Sequence, residues 1–335
     1  MSAAILTFLA TLFIGGLGLL AQVARKNRGA EVTLIVVLLA LSLLVAVLGA
    51  FTGLGLLLTA TSGGAPGPER LAFVAAGGAA LLAGVLGAGL CVPPLRRLMG
   101  GRLKNAFWAD PPIFLALWLF VVVLANNAVS FLIFTQEPDV SRLFPGGRLS
   151  PGTILTSQLP FVAVALFGVG LGVRRSPRET LARLGYGPIS SKQLGVVVLF
   201  IGAALAVSVA ADALFAELQP DLYRKVGELS DSLFNPVGLS PFSAVLFGLL
   251  IGVGAGLGEE TLFRGAVQPV LGILPTSILF ASMHVQYGPS LLLGYVFLLS
   301  IGLGLLRRRI NTTASFLAHA GYNSLAIILA YFFGM

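Results

Sequence analysis

Ten runs of apolar residues divide the chain, at about 3–24, 32–60, 71–93, 111–135, 153–173, 194–216, 241–272, 275–287, 290–306 and 312–334. Most reach the roughly 20 residues that carry an α-helix across a bilayer. A helix satisfies its own backbone hydrogen bonds without water, so runs of this kind predict spanning helices. The expected fold is therefore all-α: a polytopic membrane helix bundle of about ten transmembrane helices. The first run lacks a basic leader and a cleavage site before "ARKNR" and reads as a retained helix. "GILP", Gly272 to Pro275, must turn the chain between the seventh and eighth runs. Segment 174–192 reads as a short amphipathic interfacial helix, with Leu181 and Leu184 beside Arg178, Glu179 and Arg183. The polar stretch 216–240 reads as a surface loop.

Composition agrees with that pattern. Of the 335 residues 57% are hydrophobic and 10% charged, whereas soluble domains carry about 25% charged residues. The single cysteine, Cys91, excludes an intrachain disulfide. The net charge of +8 would suit nucleic acid if it were clustered on a domain. Instead, 15 Lys and Arg fall in four loops, at 25–28, 96–104, 174–192 and 307–309, against five in the alternate loops. That asymmetry places the four loops in the cytoplasm and both termini outside. The basic surplus is a topology device that also favours anionic lipid headgroups, and no nucleic-acid partner is expected.

Three ionisable residues break the apolar pattern at "GLGEETLFRG", Gly256 to Gly265. An acid at mid-helix costs about 2.5 to 3.5 kcal/mol on insertion. Glu260 and Arg264 are four apart and share a helical face, where they can pair. Glu259 is rotated by about 100° and has no such partner. The only two histidines, His284 and His319, also lie in apolar runs. Counting about 1.5 Å per residue from the turns, Glu259, His284 and His319 reach similar depth on three helices. Asn323 lies one turn beyond His319 on the same face. The glycines before the glutamates form two overlapping GxxxG patterns, Gly252 with Gly256 and Gly254 with Gly258, which either seat the carboxylates or serve generic packing.

A buried carboxylate with two histidines and an asparagine suits attack of water on a peptide bond, the carboxylate taking a proton and a donor pair holding the oxyanion. No HExxH zinc motif is present, and a zinc site of Glu259, His284 and His319 is a chemical alternative. The metal-free reading rests on the asparagine and on the lack of an evident carboxylate to orient each histidine. The rival functions are a proton- or ion-coupled transporter, which the absence of an internal repeat disfavours, and a non-catalytic membrane scaffold.

"EETLFR", "FASMH" and "HAGYN" resemble the motifs EExxxR, FxxxH and HxxxN/D of the CPBP family of intramembrane proteases, which includes the CAAX prenyl endopeptidases and bacteriocin-processing enzymes. The resemblance covers residues 174–335, leaving 1–173 as additional N-terminal transmembrane helices. It implies an intramembrane endopeptidase in which Glu259 is the general base and is polarised by His284. His319 and Asn323 would form the oxyanion site. Glu260 and Arg264 would be a supporting ion pair, and Phe280 a packing residue beside the site. It further implies a membrane-associated or peptide substrate, lipidated in part of the family, no required cofactor, and a multi-pass protein of a bacterial-type plasma membrane.

Overall fold

The computed structural model describes residues 3–60, 68–92, 94, 110–136 and 147–334. The basic stretch 96–104 and Arg142, both part of the charge asymmetry, lie outside the described residues. Among the described residues no strand forms, and nine helices are long and apolar enough to cross a membrane. The expected tenth span is shorter: its helix covers Ile273–Ser282, ten residues. After Ser282 the chain leaves the α-helix and passes through a 3₁₀ turn, Val285–Tyr287, to Gly288 at φ 56°. Two further expectations need correction. The run at 153–173 is two short helices with a joint at Gln158, two residues before Pro160. The polar stretch 216–240 holds a helix, Pro220–Phe234, whose Val226, Leu229 and Leu233 are buried at helical spacing.

In chain order the helices are α1 (Ala3–Ala24), α2 (Arg28–Ala60), α3 (Pro68–Cys91), α4 (Pro111–Gln136), α5 (Pro151–Ser157), α6 (Leu159–Gly168), α7 (Pro177–Leu184), α8 (Ser191–Leu218) and α9 (Pro220–Phe234). There follow α10 (Pro241–Glu260), a π-helix (Thr261–Val267), α11 (Gln268–Leu271), α12 (Ile273–Ser282), a 3₁₀ turn (Val285–Tyr287), α13 (Leu291–Arg309) and α14 (Thr312–Phe333).

The described chain groups into two compact units. One contains Leu19–Asp139 and Ser282–Pro289. Glycines bring α2 and α3 into backbone contact: a Cβ on Gly84 would lie 2.4 Å from the Ala46 nitrogen. Trp118 on α4 donates to Ser42 at 2.8 Å, and Asn127 donates to Ser282 at 3.0 Å. Arg25 pairs with Asp110, yet burial outweighs that cation and holds the Asp110 carboxyl above its usual range.

The other unit contains residues 1–18, 140–281 and 290–335. Its axis is α10, packed along α14 on one side and against α5 and α6 on another. The two GxxxG pairs divide this work. Gly252 and Gly256 face Ala320 and Ser324 of α14, while Gly254 and Gly258 face Ile154 and Gln158. Both patterns are thus packing surfaces, each for a different neighbour.

Candidate active site

The segment after α10 does not continue as an α-helix. From Thr261 to Val267 it widens to π geometry, with the Gln268 N–H bonded five residues back to Phe263. A π turn displaces carbonyls from the regular ladder, and such turns cluster at functional sites. Here two arginines meet them: Arg307 donates to the Arg264 carbonyl at 3.0 Å, and Arg183 to the Gly265 carbonyl at 3.2 Å. The interfacial helix expected at 174–192 is present as α7, and it does more than lie on the membrane. Its Ser176–Glu179 capping box and left-handed Gly185 fix its two ends. Leu184 is fully buried against Leu262 and Ala266, whereas Leu181 stays exposed. Gly185 and Leu184 carbonyls accept from the Thr312 N–H and hydroxyl, and Tyr186 shares a 2.6 Å hydrogen bond with Thr261. The connector is a strap that ties the π-helix to the start of α14.

Glu260 and Arg264 have no exposed side-chain surface, and the Arg264 Nε lies 3.3 Å from Glu260 Oε2. Around that pair the remaining lone pairs and protons are largely met. Ser315 donates to Glu260, and the Nδ1 of His319 lies 2.9 Å from Glu260 Oε1. A carboxylate offers acceptors alone, so the ring proton sits on Nδ1. Arg264 also donates to the Ser300 hydroxyl at 3.1 Å, and its guanidinium lies 4.8 Å from the centre of the Phe280 ring. Phe280 meets His319 edge-on at 5.8 Å and Phe263 at 5.2 Å. Of the residues singled out in the sequence, the fold therefore brings Glu260, Arg264, Phe280 and His319 into one buried cluster.

Glu259 and Asn323 make no hydrogen bond within that cluster. Glu259 Oε2 is buried and has no hydrogen-bond partner among the described residues. Its charge is nonetheless within electrostatic reach of Arg264 and His319. Asn323 is half-buried one turn beyond His319, and its side chain makes no hydrogen bond among the described residues. His284 lies beyond the end of α12 rather than on a helix, at φ −90° and ψ 55°, with its ring stacked 5.8 Å from that of Tyr287. It belongs to the segment Ser282–Pro289 of the other compact unit.

Two features were missed. Ser315 precedes His319 by four residues, so Ser315, His319 and Asn323 form a polar stripe at i, i+4 and i+8 that was there to be read. Ser300 and Gln158 carry no comparable periodic signal.

Among the described residues no group of three or more His, Cys, Asp or Glu that could hold a metal ion is found. One reason given against zinc is wrong. His319 does have an orienting carboxylate, Glu260.

Residues 241–325 match the family model described as type II CAAX prenyl endopeptidase Rce1-like. The matched segment contains Glu259, Glu260, Arg264, Phe280, His284, His319 and Asn323. The segment is similar to a CAAX-protease-type domain. The matched family is one of endopeptidases, and the nine apolar helices among the described residues make the chain a multi-pass integral membrane protein. No curated protein and no solved structure matches the chain.

Proposed function

We propose that the chain is an intramembrane endopeptidase that uses Glu259 to activate water against a peptide bond. The observation that carries this reading is the contrast between two adjacent carboxylates. Glu260 is bound by Arg264, Ser315 and His319, while Glu259 keeps a buried oxygen with no partner. A carboxylate oxygen kept out of water without a donor is costly unless something arrives to use it. A water that donates to Glu259 Oε2 loses that proton as its oxygen attacks the carbonyl carbon. The family resemblance gives His284 the role of polarising Glu259 in this scheme. His319 and Asn323 hold the oxyanion, with the ring fixed through Nδ1 by Glu260 so that a protonated Nε2 can donate. Collapse of the tetrahedral intermediate returns the proton from Glu259 to the leaving amine.

No resident metal takes part in this reading. The substrate is a membrane-associated peptide, and the membrane is a bacterial-type plasma membrane with the basic loops inside. The test is a comparison of membrane peptidomes from cells carrying wild-type protein, Glu259→Gln or Glu260→Gln at equal abundance. Glu259→Gln should abolish the wild-type cleavage products while the protein stays folded and inserted. Wild-type products from folded Glu259→Gln protein would remove the general base.

A further inference from the structure

Six buried side-chain atoms lack a hydrogen-bond partner among the described residues, and four of them are Gln158 Oε1, Glu259 Oε2, Arg264 Nε and Arg264 Nη1. Buried polar atoms are nearly always paired, with protein or with ordered water. Arg264 Nε has the Glu260 carboxylate at 3.3 Å. Gln158, Glu259 and Arg264 Nη1 remain, and they include both acceptors and a donor.

Gln158 is brought here by the local fold rather than by the family motifs. It sits at the joint between α5 and α6, where Pro160 prevents one continuous helix. Non-helical backbone at membrane depth is tolerated where it is enclosed by protein or lines a wet cavity. From that joint the side chain lies flat on Gly258, the residue before Glu259. A Cβ at Gly258 would fall 2.2 Å from Gln158 Oε1 and 2.8 Å from its Cβ. The amide nitrogen is directed back to Ser157 at 3.2 Å, which leaves the carbonyl oxygen facing α10. A weak contact with the Gly258 Cα–H is the alternative use of that oxygen.

We propose that Gln158 is a positioning residue for the reaction, accepting a hydrogen bond from the water that Glu259 activates. The inference rests on the endopeptidase reading. One water carries two O–H donors, and there are two orphaned acceptors here, one on Gln158, which covers Gly258, and one on Glu259, the next residue. The proposed role requires one proton to be held by Glu259 Oε2 and the other by Gln158 Oε1, which directs the lone pairs of the water away from both. Arg264 Nη1 supplies a donor to a neighbouring water or to this one, giving the two to four partners that a buried water usually has. Gln158 takes no proton in the step. It fixes the nucleophile and thereby contributes through orientation. Its position also means that the family-matched segment is not self-sufficient, because the residue lies outside 241–325.

The test uses Gln158→Met, which keeps length and volume but has no carbonyl acceptor, beside Gln158→Glu, which keeps an acceptor oxygen. Processing is followed on the peptide products that Glu259→Gln eliminates. Gln158→Met should slow their appearance about ten- to a hundredfold, as loss of one to two hydrogen-bond equivalents in the transition state implies. The concentration dependence and thermal midpoint should stay at wild type, and Gln158→Glu should recover part of the rate. Wild-type turnover by folded Gln158→Met protein overturns the proposal while the endopeptidase reading stands. An unchanged peptidome with Glu259→Gln as well overturns both. Independently of activity, an experimental structure that resolves waters should show one within hydrogen-bond distance of both Gln158 Oε1 and Glu259 Oε2. A dry contact, or oxygens too far apart for one bridge, overturns it too.

Discussion

His319 Nδ1 and Glu260 Oε1 are 2.9 Å apart, both side chains essentially without exposed surface. Of the two adjacent glutamates, it is the second that organises this cluster. Glu260 ties α10 to α14 through His319 and Ser315, and to α13 through Arg264 and Ser300.

Arg264 should accordingly be a stability residue before it is anything else. Removing one member of a buried ion pair strands the other and costs about 3–5 kcal/mol. Arg264→Ala should therefore lower the yield of folded protein and its thermal midpoint in detergent. Arg264→Lys should rescue only part of this, because a lysine cannot keep the planar contact on Phe280 together with the fork to Glu260 and Ser300. An Arg264→Ala protein with wild-type yield and midpoint would show that the pair is dispensable.

The Glu259/Glu260 division, the Glu260–Arg264 pairing and the break at Gly272 were legible because each follows from helical spacing or from glycine chemistry. Gly272 does take a positive φ, 85°, where α11 ends. The π-helix was not legible. Nothing in "TLFRGAV" distinguishes it from an α-helical turn, and it is held by Arg183 and Arg307 from remote segments. Those arginines were read as topology charges, and two of them also bind carbonyls. The amphipathic α9 was hidden by its polar composition, although Val226, Leu229 and Leu233 carried the spacing. His284 was placed on a helix by counting, and counting fails once a helix stops early.

Acid should loosen the strap that bears on the π-helix. Hydrogen bonds from the Ser176 backbone N–H and hydroxyl hold the Glu179 carboxyl below its usual range, with a smaller pull from Arg175. A carboxyl depressed in the folded state contributes stability above its unfolded value of about 4.3, and loses it as pH falls through the folded value. The thermal midpoint of wild type should therefore show a drop below about pH 4.3 that Glu179→Gln lacks, the two profiles converging at the acid end. Parallel profiles from pH 6 to pH 3 would exclude the capping box as an acid-sensitive element.

Chelation should leave activity unchanged. The proposed route needs Glu259, a water and two donors, and no resident metal. Purified protein should contain substoichiometric zinc by elemental analysis, and prolonged chelator treatment should retain the wild-type rate of product formation. Stoichiometric zinc whose removal stops turnover and whose return restores it would reverse the metal-free proposal.

Glycines on α10 separate geometry from chemistry most sharply. A Cβ at Gly252 would stand 2.1 Å from the Ser324 hydroxyl oxygen and 2.3 Å from the Ala320 carbonyl oxygen, so alanine there must push α10 from α14. The Ala320 carbonyl cannot swing away without breaking helix geometry, and Ser324 is adjacent to Asn323. Overpacking of this kind costs about 1–3 kcal/mol. Because α14 carries His319 and Asn323, a displacement on the order of 1 Å should also cost roughly a hundredfold in rate. Gly195→Ala on α8, where a Cβ meets nothing within 4 Å, should leave both midpoint and rate at wild type. Product formation and thermal midpoint measured on the two variants decide the point. Wild-type activity in Gly252→Ala would mean that the α10–α14 contact is slack and that helix packing does not set the register between Glu259 and His319.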